Sequence, residues 1–115
     1  MAEDYNPLDT GQQEAAQTEQ DELRRLQRDR EVDDFKWLMG HRQGRRVMWR
    51  LLSMTGLYRN PHVPGAPSEE TAFRCGEQNI GQRLMAEIHE ITPDSYNVMV
   101  KEFQEWQKQM QARHQ

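Results

Sequence analysis

Apolar side chains recur at steps of three and four residues along much of the chain, which is the spacing of one face of an α-helix. The first such series is Val32, Phe35, Leu38 and Met39. Gly40 follows directly and predicts the end of this helix. The start is predicted near Thr18, an N-cap residue type that precedes acidic residues in the first turn. Only Leu23 and Leu26 are apolar in the early turns, so we expect those turns to pack weakly.

A second helix is predicted from about Arg45 to Thr55, with Gly56 as its stop. Its broad apolar face comprises Val47, Met48, Leu51, Leu52 and Met54. The pattern places Trp49 on the remaining surface, among arginines. Residues 57–67 hold three prolines and a glycine, which exclude a regular helix and predict a loop.

Two more helices follow the loop. Ser68 predicts the N-cap of the third helix, and Thr92 with Pro93 predicts the start of the fourth. The apolar stripe of the third helix is Phe73, Ile80, Leu84, Met85, Ile88 and Ile91. That of the fourth is Tyr96, Met99, Val100, Phe103, Trp106 and Met110. Gly81 stands inside the third stripe, which favours close packing against another element.

The predicted fold class is therefore all-α, a small bundle of about four helices. No alternating strand pattern and no hairpin signal occur in the sequence. Residues 1–17 are polar and contain Pro7 and Gly11, so they are predicted to form a disordered acidic arm. The helical domain is predicted to cover residues 18–112.

Composition limits the class of protein. With 115 residues, 35% of them apolar, the chain is expected to form one small domain. It has no run of about 18 apolar residues, so no membrane-spanning helix is expected. The first 20 residues lack a basic residue and an apolar run, so no signal peptide is expected either. Cys75 is the only cysteine, which excludes an intrachain disulfide and fits a reducing compartment or a virion.

The net charge of −4 conceals an uneven distribution. Residues 1–23 carry seven acids and no base, whereas residues 35–68 carry six bases and no acid. This contrast is compatible with a solvated face that is neutralised within the molecule, and also with a surface for a partner.

No catalytic or metal-binding constellation is evident. The four histidines stand far apart, and none has the spacing of a zinc-protease motif. Cys75 is interpreted as a half-buried, inert thiol, and the alternative is a thiol made reactive by the helix N-terminus. The carboxylate pairs Asp33/Asp34 and Glu87/Glu90 fit a solvated helix face. We therefore expect no enzyme, no cofactor and no metal.

The best binding candidates combine arginine with tryptophan. They are Trp37, Arg42, Arg45, Arg46, Trp49 and Arg50. Arginines at a helix N-terminus suit phosphate, so contact with DNA is one hypothesis. Tryptophan and arginine are also the side chains that dominate protein interfaces, so binding of a protein partner is the leading hypothesis.

Two stretches of the chain resemble a family of small proteins encoded by short-tailed bacteriophages, with genes near those for portal, scaffold and capsid. The first stretch contains Phe35, Trp37, Leu38, Met39, Gly44, Arg45, Arg46, Trp49, Leu51, Leu52 and Gly56. The second contains Phe73, Gly76, Asn79, Gly81, Leu84, Glu87 and Ile88. The resemblance covers roughly residues 35–102 and leaves the acidic arm outside.

The resemblance implies a setting in the virion and transfers no catalytic residue. It implies a helix start near Gly44 and a close helix contact at Asn79 and Gly81, although Asn79 also fits a solvated position. The expected function is that of a small virion structural or assembly protein, in a head–tail or internal position. The alternative is a DNA-binding module used in packaging or regulation. Its expected partners are other virion proteins, bound in several copies, after assembly in the host cytoplasm.

Overall fold

The computed structural model describes residues 10–114, and four helices account for most of that range. Helix α1 spans Thr10–Met39, α2 spans Arg42–Met54, α3 spans Ser68–Ile91 and α4 spans Ser95–Arg113. No strand occurs between residues 10 and 114. The prediction of an all-α fold with four helices is therefore confirmed.

Several predicted helix starts are displaced in the structure. Helix α1 begins at Thr10, so the predicted start near Thr18 is too late and residues 10–17 of the predicted arm are helical. Residues 1–9 of that arm lie outside the described residues, and its role stays a prediction. Helix α2 begins at Arg42, one turn before the predicted start at Arg45.

The junction between α3 and α4 differs from its prediction in a similar way. The fourth helix begins at Ser95, not directly after Thr92. The hydroxyl of Thr92 donates a hydrogen bond to the carbonyl of Ile88, 3.3 Å away. The Ile88 carbonyl also accepts the backbone N–H of Thr92 at 2.8 Å, so Thr92 ends α3 instead of capping α4.

The chain divides into two units, residues 1–34 and residues 35–115. In the described part of the first unit, helix α1 carries Leu23 and Leu26 at 60% and 53% exposure. The weak packing predicted for these turns is thus confirmed. Ion pairs join neighbouring turns, for example Arg24 with Asp21 at 3.8 Å, and such exposed pairs each stabilise a helix by only about 0.3–0.5 kcal/mol.

The core of the second unit is small and built largely from methionine. Its buried members are Met39, Met48, Leu52, Ile88 and Met99. Each of the four helices contributes to this core, because Met39 is the last residue of α1. Flexible thioethers fill the irregular space where the end of α1 meets α2, α3 and α4.

Two glycines allow chain segments to approach more closely than a side chain would permit. A Cβ atom on Gly44 would lie 1.9 Å from the carbonyl oxygen of Leu38, where α1 ends beside the start of α2. A Cβ atom on Gly81 would lie 2.2 Å from the Thr55 hydroxyl oxygen and 3.2 Å from Cβ of Leu57. The close packing predicted at Gly81 is confirmed.

The side-chain amide that meets backbone groups at this contact is that of Gln78, not Asn79. Its Nε2 donates to the carbonyls of Leu57, at 3.2 Å, and Arg59, at 2.8 Å. Asn79 is exposed, which agrees with the solvated alternative. The loop after α2 is thereby fixed against α3, and Gly56 turns the chain with a φ of 65°.

The predicted apolar stripes are only partly buried. Leu84 and Ile88 pack into the core, but Phe73 and Ile80 of the same stripe are 68% and 50% exposed. The core lies at the C-terminal half of α3, so periodicity alone overestimates the buried length of this helix.

Candidate protein-binding groove

A groove of about 640 Å³ lies between α2 and α4. From α2 it is lined by Arg42, Arg45, Arg46, Val47, Trp49 and Arg50. From α4 it is lined by Met99, Glu102, Phe103, Glu105, Trp106 and Gln109. Both sets repeat at steps of three and four residues, so each helix presents one face to the groove.

The apolar part of the groove is a chain of three aromatic rings. The ring centroids of Trp49 and Phe103 are 4.7 Å apart, and those of Phe103 and Trp106 are 6.1 Å apart. Trp49 is half-buried against the core, so its predicted place on the polar surface of α2 is wrong. Trp106 closes the series at the surface with 54% of its area exposed.

A cluster of charges fixes the groove at its inner end. Arg45 donates from Nε to Oε1 of Glu102 at 2.5 Å and from Nη1 to the carbonyl of Met39 at 2.9 Å. The side chains of Arg45 and Glu102 are only 16% and 18% exposed. Arg45 therefore connects the end of α1 to α4 and satisfies a carbonyl that the helix leaves open.

Arg42 completes this cluster from the solvent side. Its Nε lies 3.0 Å from Oε2 of Glu102, although its own side chain is 68% exposed. Oε2 is buried and receives no well-directed hydrogen bond, so the contact with Arg42 is a charge–charge contact. Glu102 thus faces two arginines, and its charge balances only one of them.

Arg46 and Arg50 form the outer cationic edge of the groove. Both side chains are exposed, and no ion pair joins either of them to another residue between 10 and 114. Glu105 lines the opposite wall. With four arginines and two glutamates, the groove has an excess of two positive charges.

Five of the six predicted binding residues line this groove, and Trp37 does not. Trp37 is 67% exposed, and the centroid of its ring lies 4.6 Å from the ring centroid of His41. Whether these residues bind a partner stays a prediction.

Sequence reasoning missed the α4 side of the groove. Phe103 and Trp106 were assigned to the core stripe of the fourth helix, and Glu102 was not singled out. The sequence did contain a signal for this wall, because Glu102, Glu105 and Gln109 are spaced so that they lie along one face of α4.

Other candidate chemistry is sparse in the described part of the chain. No group of three or more histidine, cysteine, aspartate or glutamate side chains between residues 10 and 114 could hold a metal ion. Cys75 is exposed, which corrects the prediction of a half-buried thiol. Among the described helices, none has the length and hydrophobicity required to cross a membrane.

A family model described as Bbp19-like phage protein matches residues 35–101, more than half of the chain. The chain belongs to the Bbp19-like phage protein family. No curated protein and no solved structure matches it. It is thus a bacteriophage protein, as the sequence resemblance predicted, while the short-tailed phage and the gene neighbourhood stay predictions.

The residues matched by the family model and the second structural unit both begin at Phe35. The α2 wall of the groove lies inside the matched range. Most of the α4 wall, from Glu102 to Gln109, follows the last matched residue. The part of α1 over residues 10–34 also lies outside the match.

Proposed function

We propose that this Bbp19-like protein is a structural or assembly component of the phage particle and acts by binding other phage proteins through the α2–α4 groove. Several copies would bind at a head–tail or internal position of a particle assembled in the host cytoplasm. The observation that carries the proposal is the groove itself, in which exposed arginines stand beside a partly exposed series of aromatic rings.

The residue types in the groove are those that protein interfaces favour. Tryptophan and arginine are enriched among the side chains that dominate binding energy, and aromatic rings and methionine are enriched at interface cores. Trp106 has an exposed indole, and Val47 adds an exposed aliphatic side chain to the lining of the same groove. A partner that covered these side chains would remove apolar area from water.

The proposal assigns no catalytic step, cofactor or metal to this chain. The most buried ionisable side chains of the groove, Arg45 and Glu102, are paired with each other and stabilise the position of α4. Their arrangement supports a fixed scaffold, because a catalytic acid or base would need access to a substrate.

Binding of DNA is the second candidate. Glu102 balances part of the arginine charge, and Glu105 adds a carboxylate where a phosphate chain would pass, so the groove favours a protein partner over a nucleic acid. If DNA is nonetheless the ligand, its affinity will fall steeply with salt, with a slope near −0.9 for each phosphate neutralised.

Quantitative mass spectrometry of gradient-purified particles tests the proposed setting. We expect the protein to be present in several copies per particle and to remain after a high-salt wash. Its absence from purified particles, with abundant protein in infected cells, would contradict a role as a particle component.

A further inference from the structure

We propose that the α2–α4 groove recognises an acidic segment of a partner protein, one that carries carboxylates beside a single aromatic or aliphatic anchor side chain. The inference rests on the proposed function and specifies the chemistry of its ligand. It follows from three features of the groove: the exposed aromatic end, the two arginines at its edge, and the unequal charge of its two walls.

The exposed aromatic end offers a place for one anchor. Trp106 lies against Phe103 on one side and is 54% exposed on the other, with Val47 of α2 at 51% exposure across the groove. A volume of about 640 Å³ accommodates a large side chain together with several residues of its backbone. An aromatic or aliphatic side chain inserted here would cover apolar area on both helices.

Arg46 and Arg50 set the charge of the ligand. They are four residues apart on α2, so they are separated along the helix axis by about 6 Å, slightly more than one helical turn. Carboxylates on successive turns of a helix, or two residues apart in an extended peptide, have a similar spacing. Both guanidinium groups are exposed and are free of ion pairs within residues 10–114, so each is available for a carboxylate.

The two walls differ in charge, and this difference favours a peptide over a nucleic acid. Arg46 and Arg50 stand on the α2 wall, whereas Glu105 and Gln109 stand on the α4 wall. A peptide can present acids to α2 and neutral side chains to α4. A duplex carries closely spaced phosphates along both strands and would bring negative charge towards Glu105.

The inner end of the groove is held in place before any ligand arrives. Arg45 bonds to Glu102 on α4 and to the Met39 carbonyl at the end of α1, and the Trp49 ring packs against that of Phe103. A surface fixed in this way loses little conformational entropy on binding, which favours recognition of a short segment.

Fluorescence anisotropy with the full chain and a labelled synthetic peptide tests the inference. The probe is a short peptide of glutamates around one central tryptophan, and its lysine counterpart is the charge-reversed control. We expect the double variant Arg46→Gln/Arg50→Gln and the single variant Trp106→Ala each to weaken binding of the acidic peptide about tenfold or more. The lysine peptide is expected not to bind.

Matched variants outside the groove separate the site from general effects of charge and hydrophobicity. Arg59→Gln/Arg83→Gln removes the same charge elsewhere, and Phe73→Ala removes another exposed aromatic ring. The Kd of each control variant for the acidic peptide should stay within about twofold of that of the unaltered protein, because the affinity depends on the groove residues. Circular dichroism verifies the fold of every variant, and all replaced side chains are exposed.

Any one of several results would overturn the inference. One is an equal loss of peptide affinity in the groove variants and the control variants, and another is equal affinity for the lysine peptide and the acidic peptide. A third is displacement of the acidic peptide by short duplex DNA, and a fourth is a dimer in light scattering that the groove substitutions abolish. No binding at about 1 mM peptide would overturn it as well. Particle composition is measured separately, so failure of the peptide test leaves the proposed setting in the particle intact, and absence from particles leaves the peptide result intact.

Discussion

The Arg45–Glu102 pair provides the sharpest test of how the groove is built. Replacing Glu102 with glutamine keeps the size and one oxygen acceptor but removes the negative charge. Arg45 would then remain a positive charge that is only 16% exposed, with Arg42 nearby and only neutral oxygen atoms, those of the new glutamine and of the Met39 carbonyl, as close acceptors. Glu102→Gln should therefore destabilise the fold.

The size of the effect follows from burial. Removing one partner of a fully buried ion pair costs about 3–5 kcal/mol. Each side chain here retains roughly a sixth of its exposure, and glutamine keeps one acceptor. We therefore expect the free energy of unfolding to fall by about 2 kcal/mol. For a unit of about 80 residues this corresponds to a fall in Tm of about 8–16 °C.

The assay is urea unfolding followed by far-ultraviolet circular dichroism, with Glu105→Gln as the matched control. Glu105 lies on the same helix and lines the same groove, but its side chain is exposed, so its replacement should change the free energy of unfolding by less than about 0.5 kcal/mol. The loss in Glu102→Gln should persist in high salt, because buried pairs are screened weakly. Equal stability of the two variants would refute this account of the groove.

The remaining predictions concern packing and one tyrosine. Gly81→Ala should destabilise the fold by about 2–3 kcal/mol, because its Cβ would meet Thr55. At Gly76 in the same helix a Cβ atom would meet open space, so Gly76→Ala should stabilise the fold by about 0.5–1 kcal/mol. Equal free energies of unfolding for the two variants in urea would contradict the close contact at Gly81. Desolvation of the part of Tyr58 that faces the protein and a hydrogen bond with the Tyr96 hydroxyl raise the pKa of Tyr58 to about 12, so the associated contribution to stability is present below about pH 10 and lost towards pH 12. Tyr96→Phe removes the hydrogen bond but leaves the desolvation, so it should lower the pKa of Tyr58 only part of the way towards 10.0 in an ultraviolet absorbance titration, and an unchanged midpoint would refute the assignment.

Much of the fold could be predicted because helical periodicity and stop residues are local signals. Gly40 and Gly56 follow the ends of α1 and α2, and the proline-rich loop separates α2 from α3, as expected. The start of α1 was misplaced because residues 10–17 have no apolar stripe. Helix formation there depends on backbone bonding and on residues such as alanine and glutamine that favour helix, not on burial.

The candidate site was predictable on only one of its sides. The arginines of α2 stand out because no acid lies near them in sequence. Their neutralising partner, Glu102, is separated from Arg45 by 57 residues, and only the packing of α4 against α2 brings the two together. The same packing moves Trp49 from a predicted outer face into contact with Phe103, which periodicity within one helix does not reveal.

The most direct test of the central claim is the copy number of groove variants in phage particles. Particles are produced with the unaltered protein, with Arg46→Gln/Arg50→Gln/Trp106→Ala, or with the control Arg59→Gln/Arg83→Gln/Phe73→Ala, and the protein is quantified by mass spectrometry. We predict that the control has the same copy number per particle as the unaltered protein. The copy number of the folded groove variant should fall at least about tenfold. Equal incorporation of all three proteins would contradict the claim that the α2–α4 groove binds this protein to its partners in the particle.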